Sequence, residues 1–166
     1  MIYLLDADTL IRADSTYYPL NRFPVFWQWL QYNGEIGNVK IPSEQFEEIV
    51  VGNGDLVDWL NEQENKDALL FGEEVDQALV AHVTTNGYAP DLNDAELVTV
   101  GRDPFLIAYG LVDPNERYVI SFETSAPSKR RANKKVPDVC AALGVKCATL
   151  FNLIDELDFT TDWTPP

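Results

Sequence analysis

Short apolar runs alternate along this chain with segments whose apolar residues recur at helical spacing. Ile2 to Leu5 is a buried-strand pattern ending in Asp6. A helix is expected over Thr9 to Arg12, with Asp8 placed to cap it. Phe23 to Tyr32 puts Phe26, Trp29 and Leu30 on one face and is expected to stop at Asn33-Gly34. After a turn, Ser43 is expected to cap a helix carrying Phe46, Ile49 and Val50, which Asn53-Gly54 breaks. Asp55 to Glu64, with Leu56, Trp59 and Leu60 inward, and Glu73 to Thr85, with Val75, Leu79 and Val83 inward, read as two more helices. Asp103-Pro104 opens a helix through Leu111, with proline in its favoured first position. Tyr118 to Ile120 is a second strand. Thr124 to Lys135 is loop-like, Pro137 to Leu143 a helix stopped by Gly144, Val145 to Ala148 a strand, and Leu150 to Leu157 the last helix. Strands alternating with helices predict βαβ units and a mostly parallel sheet. The pattern defines one domain, residues 1–158, and a short frayed tail, 159–166.

The 166 residues suffice for a single core that buries roughly two-thirds of the unfolded surface. No apolar run reaches the length of a membrane span, and the first residues lack the basic start and cleavage site of a signal peptide, so a cytoplasmic protein is expected. Cys140 and Cys147 fit no zinc spacing, and the one histidine, His82, lies far from them. They read as two reduced, buried thiols, with no base nearby to activate either.

Net charge is −15, which by itself argues against a nucleic-acid binder. The distribution changes that picture. Lys129, Arg130, Arg131, Lys134 and Lys135 are five of the twelve cations and fall in one short segment.

Four carboxylates occupy positions with chemical meaning. Asp6 ends the first strand, Glu48 lies in the helix from Ser43, Asp103 heads a helix, and Glu123 follows the Tyr118–Ile120 strand. In parallel sheets ligands bind beyond the carboxyl ends of the strands. Were these four to converge, their repulsion would call for a hard divalent cation such as Mg²⁺ or Mn²⁺, and hydrolysis of a phosphodiester would then require neither Cys nor His. Glu44 and Glu47 compete with Glu48 for the second position. Asp8 is open to a capping or a site role, and Asp94 and Glu96 read as solvated.

Leu4-Leu5-Asp6-Ala7-Asp8-Thr9-Leu10-Ile11, Glu47-Glu48-Ile49, Asp103-Pro104-Phe105-Leu106-Ile107-Ala108-Tyr109 and Tyr118-Val119-Ile120-Ser121-Phe122-Glu123 together resemble the four motifs of PIN-domain proteins. The segment Lys134 to Cys140, with Gly144-Val145-Lys146-Cys147, is similar to a branch of bacterial PIN-like proteins of unassigned function. The resemblance spans about residues 2–157. It implies a three-layer α/β/α fold with a central, mostly parallel sheet. It also implies a Mg²⁺ or Mn²⁺ site built from Asp6, Glu48, Asp103 and Glu123, with Asp8 in second rank. The implied activity is cleavage of single-stranded RNA, as in the toxins of toxin–antitoxin pairs, with an antitoxin protein and a homodimer among the implied partners. The Phe23–Tyr32 aromatic stripe is the candidate dimer surface, and the five cations of the basic segment are candidates for holding RNA phosphates.

Two alternatives stand beside it. One is a catalytically silent PIN-like module that binds RNA or protein. The other is a haloacid-dehalogenase-type phosphatase, whose nucleophile motif Asp6-Ala7-Asp8 resembles; that motif wants Thr or Val where Leu10 stands.

Overall fold

The computed structural model describes residues 1–166. Four parallel strands, β1 (Ile2–Leu5), β2 (Val39–Lys40), β3 (Arg117–Ile120) and β4 (Lys146–Ala148), lie in the order β2-β1-β3-β4. Ten α-helices connect and cover them: α1 (Ala7–Arg12), α2 (Pro24–Glu35), α3 (Ser43–Val50), α4 (Asp55–Asn61), α5 (Gln63–Leu69), α6 (Gln77–His82), α7 (Asp94–Val100), α8 (Asp103–Val112), α9 (Val136–Leu143) and α10 (Leu150–Glu156). The result is the expected three-layer α/β/α fold, and no helix is long and apolar enough to cross a membrane.

Each face of the sheet buries its own core. Tyr3, Leu5 and Ile120 point to one side, where α2, α3 and α10 contribute Phe26, Trp29, Ile49 and Leu153. Leu4 and Val119 point to the other, against Leu106, Tyr109, Val136 and Val139 of α8 and α9. That alternation is the two-residue period of a strand, and a sheet covered on both faces accounts for runs such as Ile2 to Leu5 that are apolar throughout.

Several boundaries differ from the sequence reading, for local physical reasons. Helix α2 runs through Asn33-Gly34 to Glu35. Asn33 is spent inside the helix, its side-chain amide donating to the Trp29 carbonyl at 2.9 Å. Gly34 stays helical because a Cβ there would meet the Ala68 carbonyl oxygen at 2.8 Å, so the glycine serves close packing of α2 on α5 rather than a turn. Asp8 caps nothing; it lies inside α1 and pairs with Arg12 at 2.7 Å, one turn along. Ser43 is the first residue of α3, after Pro42, and its hydroxyl bonds to Glu44 instead of the helix backbone. Glu62 is extended and splits Asp55–Leu69 into α4 and α5. The helix expected from Glu73 starts at Gln77, where the Asp76 carboxylate accepts from the Ala78 and Leu79 N–H groups. It continues past His82 as a π-helical turn, Val83–Tyr88. Strand β2 and helix α7, which the pattern did not disclose, complete the architecture.

The aromatic stripe of α2 faces inward. Phe26, Trp27, Trp29 and Leu30 are buried, so the stripe is core and not the dimer surface suggested for it. The tail is also docked: the Phe159 ring lies 5.1 Å from that of Trp29, and Trp163 lies 5.6 Å from Tyr32.

Candidate functional site

Strand β1 pairs on one side with β2 and on the other with β3, so the chain crosses from β1 to β2 in one direction and from β2 past β1 to β3 in the other. This reversal opens a crevice at the carboxyl ends of β1 and β3, the favoured ligand position in open α/β sheets. Leu5 is in register with Ile120, which places Asp6 and Ser121 side by side just beyond the sheet. The Ser121 hydroxyl donates to Asp6 Oδ2 at 3.0 Å and accepts from the Glu123 N–H at 3.2 Å. One small hydroxyl thereby orients the carboxylate of one motif and the backbone of the next. The Thr9 hydroxyl donates to the Ile120 carbonyl at 3.1 Å and ties α1 to the same strand end.

Asp103 reaches the crevice from the first turn of α8, a helix whose next residues are almost wholly buried. The Tyr88 hydroxyl donates to its Oδ2 at 3.4 Å. Burial, then the negative charges of Asp6, Glu123 and Glu48, push the Asp103 carboxyl up to about 8. Asp6 is pushed up to about 6 by burial, with Asp8, Glu48 and Glu123 adding to the rise and the Ser121 hydrogen bond opposing it. A carboxyl is held protonated to unusually high pH when burial and like charges both penalise its ionised form. Tyr88 is pushed above the ordinary tyrosine value, first by burial and then by Asp103, so it remains a neutral donor. Cys140, behind this cluster, is also pushed up, first by its hydrogen bond with Cys147 and then by burial, and stays a neutral thiol.

The three α3 glutamates have different surroundings. Glu44 accepts from Ser43, and Glu47 pairs with Arg102 Nη1 at 3.2 Å. The same guanidinium group donates to the Glu44 carbonyl. Glu48, exposed, is the α3 carboxylate whose charge bears on both Asp6 and Asp103. Asp8 contributes its charge to Asp6 while engaged with Arg12.

The fourth carboxylate is occupied at both oxygens. Glu123 Oε1 accepts from Lys135 Nζ at 2.8 Å and Oε2 from the Val136 N–H, at the start of α9, at 2.7 Å. The donor set is all oxygen and suits a hard cation, and the charges are close enough to perturb one another. As the side chains stand, however, no three of His, Cys, Asp or Glu form a group that could hold a metal ion. Three of the carboxylates already have a protein partner: Asp6 accepts from Ser121, Asp103 from Tyr88 and Glu123 from Lys135.

The basic segment divides. Arg131 binds Glu96 and Asp91 at 2.7 Å each, Lys134 donates to the Gly87 carbonyl at 2.8 Å, and Lys135 holds Glu123. Glu96, read as solvated, is instead the anchor of Arg131, and it closes a capping box with Asn93 at the start of α7. Lys129 and Arg130 are exposed and make no ion pair, Arg130 bonding only to the Pro127 and Lys129 carbonyls. Asp103, Glu123, Lys129, Lys134 and Lys135 all line one cavity of ≈ 170 Å³. Acidic and basic motifs thus meet in a single concavity, as the chain order of Glu123 and the basic segment suggested. Tyr88 had no signal in the sequence; only the packing of the π-helical turn under α8 brings it to Asp103.

A family model described as "Domain of unknown function (DUF4411)" matches residues 3–161. The match covers nearly the whole chain, which therefore belongs to that family. No curated protein and no solved structure matches.

Proposed function

We propose that this family member is a metal-dependent ribonuclease that cleaves single-stranded RNA at the β1–β3 crevice. One observation carries the reading. Asp6 and Asp103 are both buried and both feel the charges of Glu48 and Glu123; burial first, and those charges after it, push the two carboxyls up to about 6 and about 8, the kind of perturbation that gathers at functional sites. Asp6, Glu48, Asp103 and Glu123 would hold the cation, which when bound supplies an acidified water and charge neutralisation at the phosphodiester. The chain's own residues do the rest. Ser121 fixes the Asp6 carboxylate and Tyr88 that of Asp103, while Lys129 lines the same cavity as Asp103 and Glu123 and, with Arg130 next to it in the chain, makes no ion pair and is available to substrate phosphates. The resemblance of the four motifs to PIN-domain proteins supports the same chemistry.

A second reading, a silent binding module, is favoured by the Lys135–Glu123 pair, which already neutralises one of the four carboxylates. One experiment separates the two. A mixed pool of single-stranded RNA is incubated with Mn²⁺, with Mg²⁺ and with EDTA, comparing wild type with Asp6→Asn. The nuclease reading expects cleavage in either metal, none in EDTA, and loss in the variant. Absence of cleavage under every condition leaves the binding module.

A further inference from the structure

Three aromatic rings pack against each other around Phe122, and two of them are open to solvent. Tyr17 stacks on Phe122 with centroids 5.3 Å apart and planes inclined by only 12°. Phe151 meets Tyr17 edge-on at 5.1 Å and Phe122 at 5.6 Å. Tyr17 is 42% exposed and Phe151 41%. Phe122 stands between Ser121 and Glu123 in the chain. The Arg12 guanidinium lies 5.9 Å from the Phe122 centroid, held by the Asp8 carboxylate whose charge also bears on Asp6. The two patches are therefore joined by one ion pair and one strand end.

We infer that Tyr17, Phe122 and Phe151 form a stacking platform for a base of the single-stranded RNA bound at the carboxylate crevice. This rests on the reading of that crevice as an RNA-cleaving site. The rings come from three separate elements and hold one another in place, so a base that stacks on them immobilises little that was mobile. Every base has a π-face, so such a platform binds single strands without demanding a sequence, and it excludes duplexes, whose bases are already stacked. A second copy of the chain suits the patch poorly. Two aromatic side chains two-fifths exposed offer on the order of 100–200 Å², against about 800 Å² per partner in a stable interface. Each copy also carries a net charge of −15.

The test measures binding of a fluorescein-labelled octaribonucleotide in EDTA, by anisotropy, against the same sugar-phosphate chain lacking its bases, with Mn²⁺-dependent cleavage of the intact octamer followed separately. Wild type is expected to bind the base-bearing strand about tenfold tighter. Tyr17→Ala and Phe151→Ala should bring it to the abasic level, while Lys129→Ala weakens both strands alike. Phe151→Leu, which keeps apolar volume and removes the ring face, decides the matter if an alanine variant loses its circular-dichroism signature. Equal binding of the two strands by wild type, or an undiminished preference in the ring variants, overturns the platform even where Mn²⁺-dependent cleavage persists. Absence of both binding and cleavage removes the reading of the crevice and the platform with it. A wild-type dimer that Phe151→Ala dissociates in sedimentation equilibrium also overturns the platform, by assigning the patch to a second copy.

Discussion

Glu96 and Asp103 belong to consecutive helices, yet their surroundings push them in opposite directions. Glu96, on the exposed surface where α7 meets the basic segment, is held down to about 2, first by hydrogen bonds from Arg131 and then by the Asn93 N–H. Asp103, in the crevice, is pushed up to about 8 by burial and three neighbouring carboxylates. The first region is neutralised wherever neutralisation is available: Asp91 and Glu96 share one guanidinium group, and Asn93 completes the helix cap. The second gathers negative charge, and the one ion pair on its four carboxylates is that of Lys135 with Glu123. A chain with twelve cations had other places for them. The contrast separates surface electrostatics that fasten a loop from a buried cluster in which burial and like charge both hold carboxyls protonated.

The largest effect expected from breaking this contrast is on catalysis. Asp6→Asn should lower metal-dependent RNA cleavage by at least about a hundredfold, since changes at a metal's supporting groups alone cost tenfold or more. Far-ultraviolet circular dichroism should be unchanged.

Stability should move the other way. The folded state binds the Asp103 proton more tightly than the unfolded chain, whose aspartates lose it near pH 4. The native state is therefore favoured at low pH, and that contribution is lost progressively as pH rises from about 4 to about 8. For Asp6 the window closes at about 6. Asp103→Asn, which stays neutral and still accepts from Tyr88, should raise the thermal midpoint at pH 8 by about 5 °C. At pH 4 it should change little. Calorimetry at the two pH values checks the sign, and a uniform effect at both would place the cause in packing.

A divalent cation should do for wild type part of what the substitution does. Millimolar Mn²⁺ should raise the wild-type midpoint at pH 8 by a few degrees. Asp6→Asn should show a smaller shift. Scanning fluorimetry reads this without reference to activity, and an equal shift in both proteins would place the ion elsewhere.

The smallest effects sharpen the division within the basic segment. Lys129→Ala with Arg130→Ala should flatten the salt dependence of RNA binding, by roughly 0.7 in the logarithmic slope for each single-strand phosphate that is no longer neutralised. The thermal midpoint should hold. Arg131→Ala should lower the midpoint slightly, as surface ion pairs do, and leave the slope nearly unaltered. A slope change for Arg131→Ala as large as for the pair would show that its ties to Asp91 and Glu96 yield to RNA.

How much of this was legible beforehand depended on whether the determining interactions were local. The strands at Ile2–Leu5 and Tyr118–Ile120 were visible because the sheet is covered on both faces, leaving apolar runs bounded by polar residues; the second starts one residue earlier than its apolar run, at Arg117. Helix α8 announced itself by Asp103-Pro104, and α9 ended at Gly144, whose φ of 74° is the left-handed conformation glycine supplies. Asn33-Gly34 misled because a turn signal is also what close helix packing and an internal side-chain bond require. Strand β2 has two residues, too few for a period. Helix α7 leaves Leu97 and Val98 exposed, so its apolar residues do not follow its buried face.

The sequence by itself determined the fold class and the carboxylates that end strands or head helices, because these follow from the spacing of apolar residues and the chemistry of caps and strand ends. It also determined that a basic segment follows the last acidic motif. Only the tertiary structure decided that Glu48, and not Glu44 or Glu47, is the α3 carboxylate whose charge bears on both Asp6 and Asp103. Only it decided that Arg131 and Lys135 are held in ion pairs while Lys129 and Arg130 make none, and that Tyr88 reaches Asp103. Each of these depends on which distant partner fills a side chain's hydrogen bonds, and a partner far off in sequence leaves no local pattern to read.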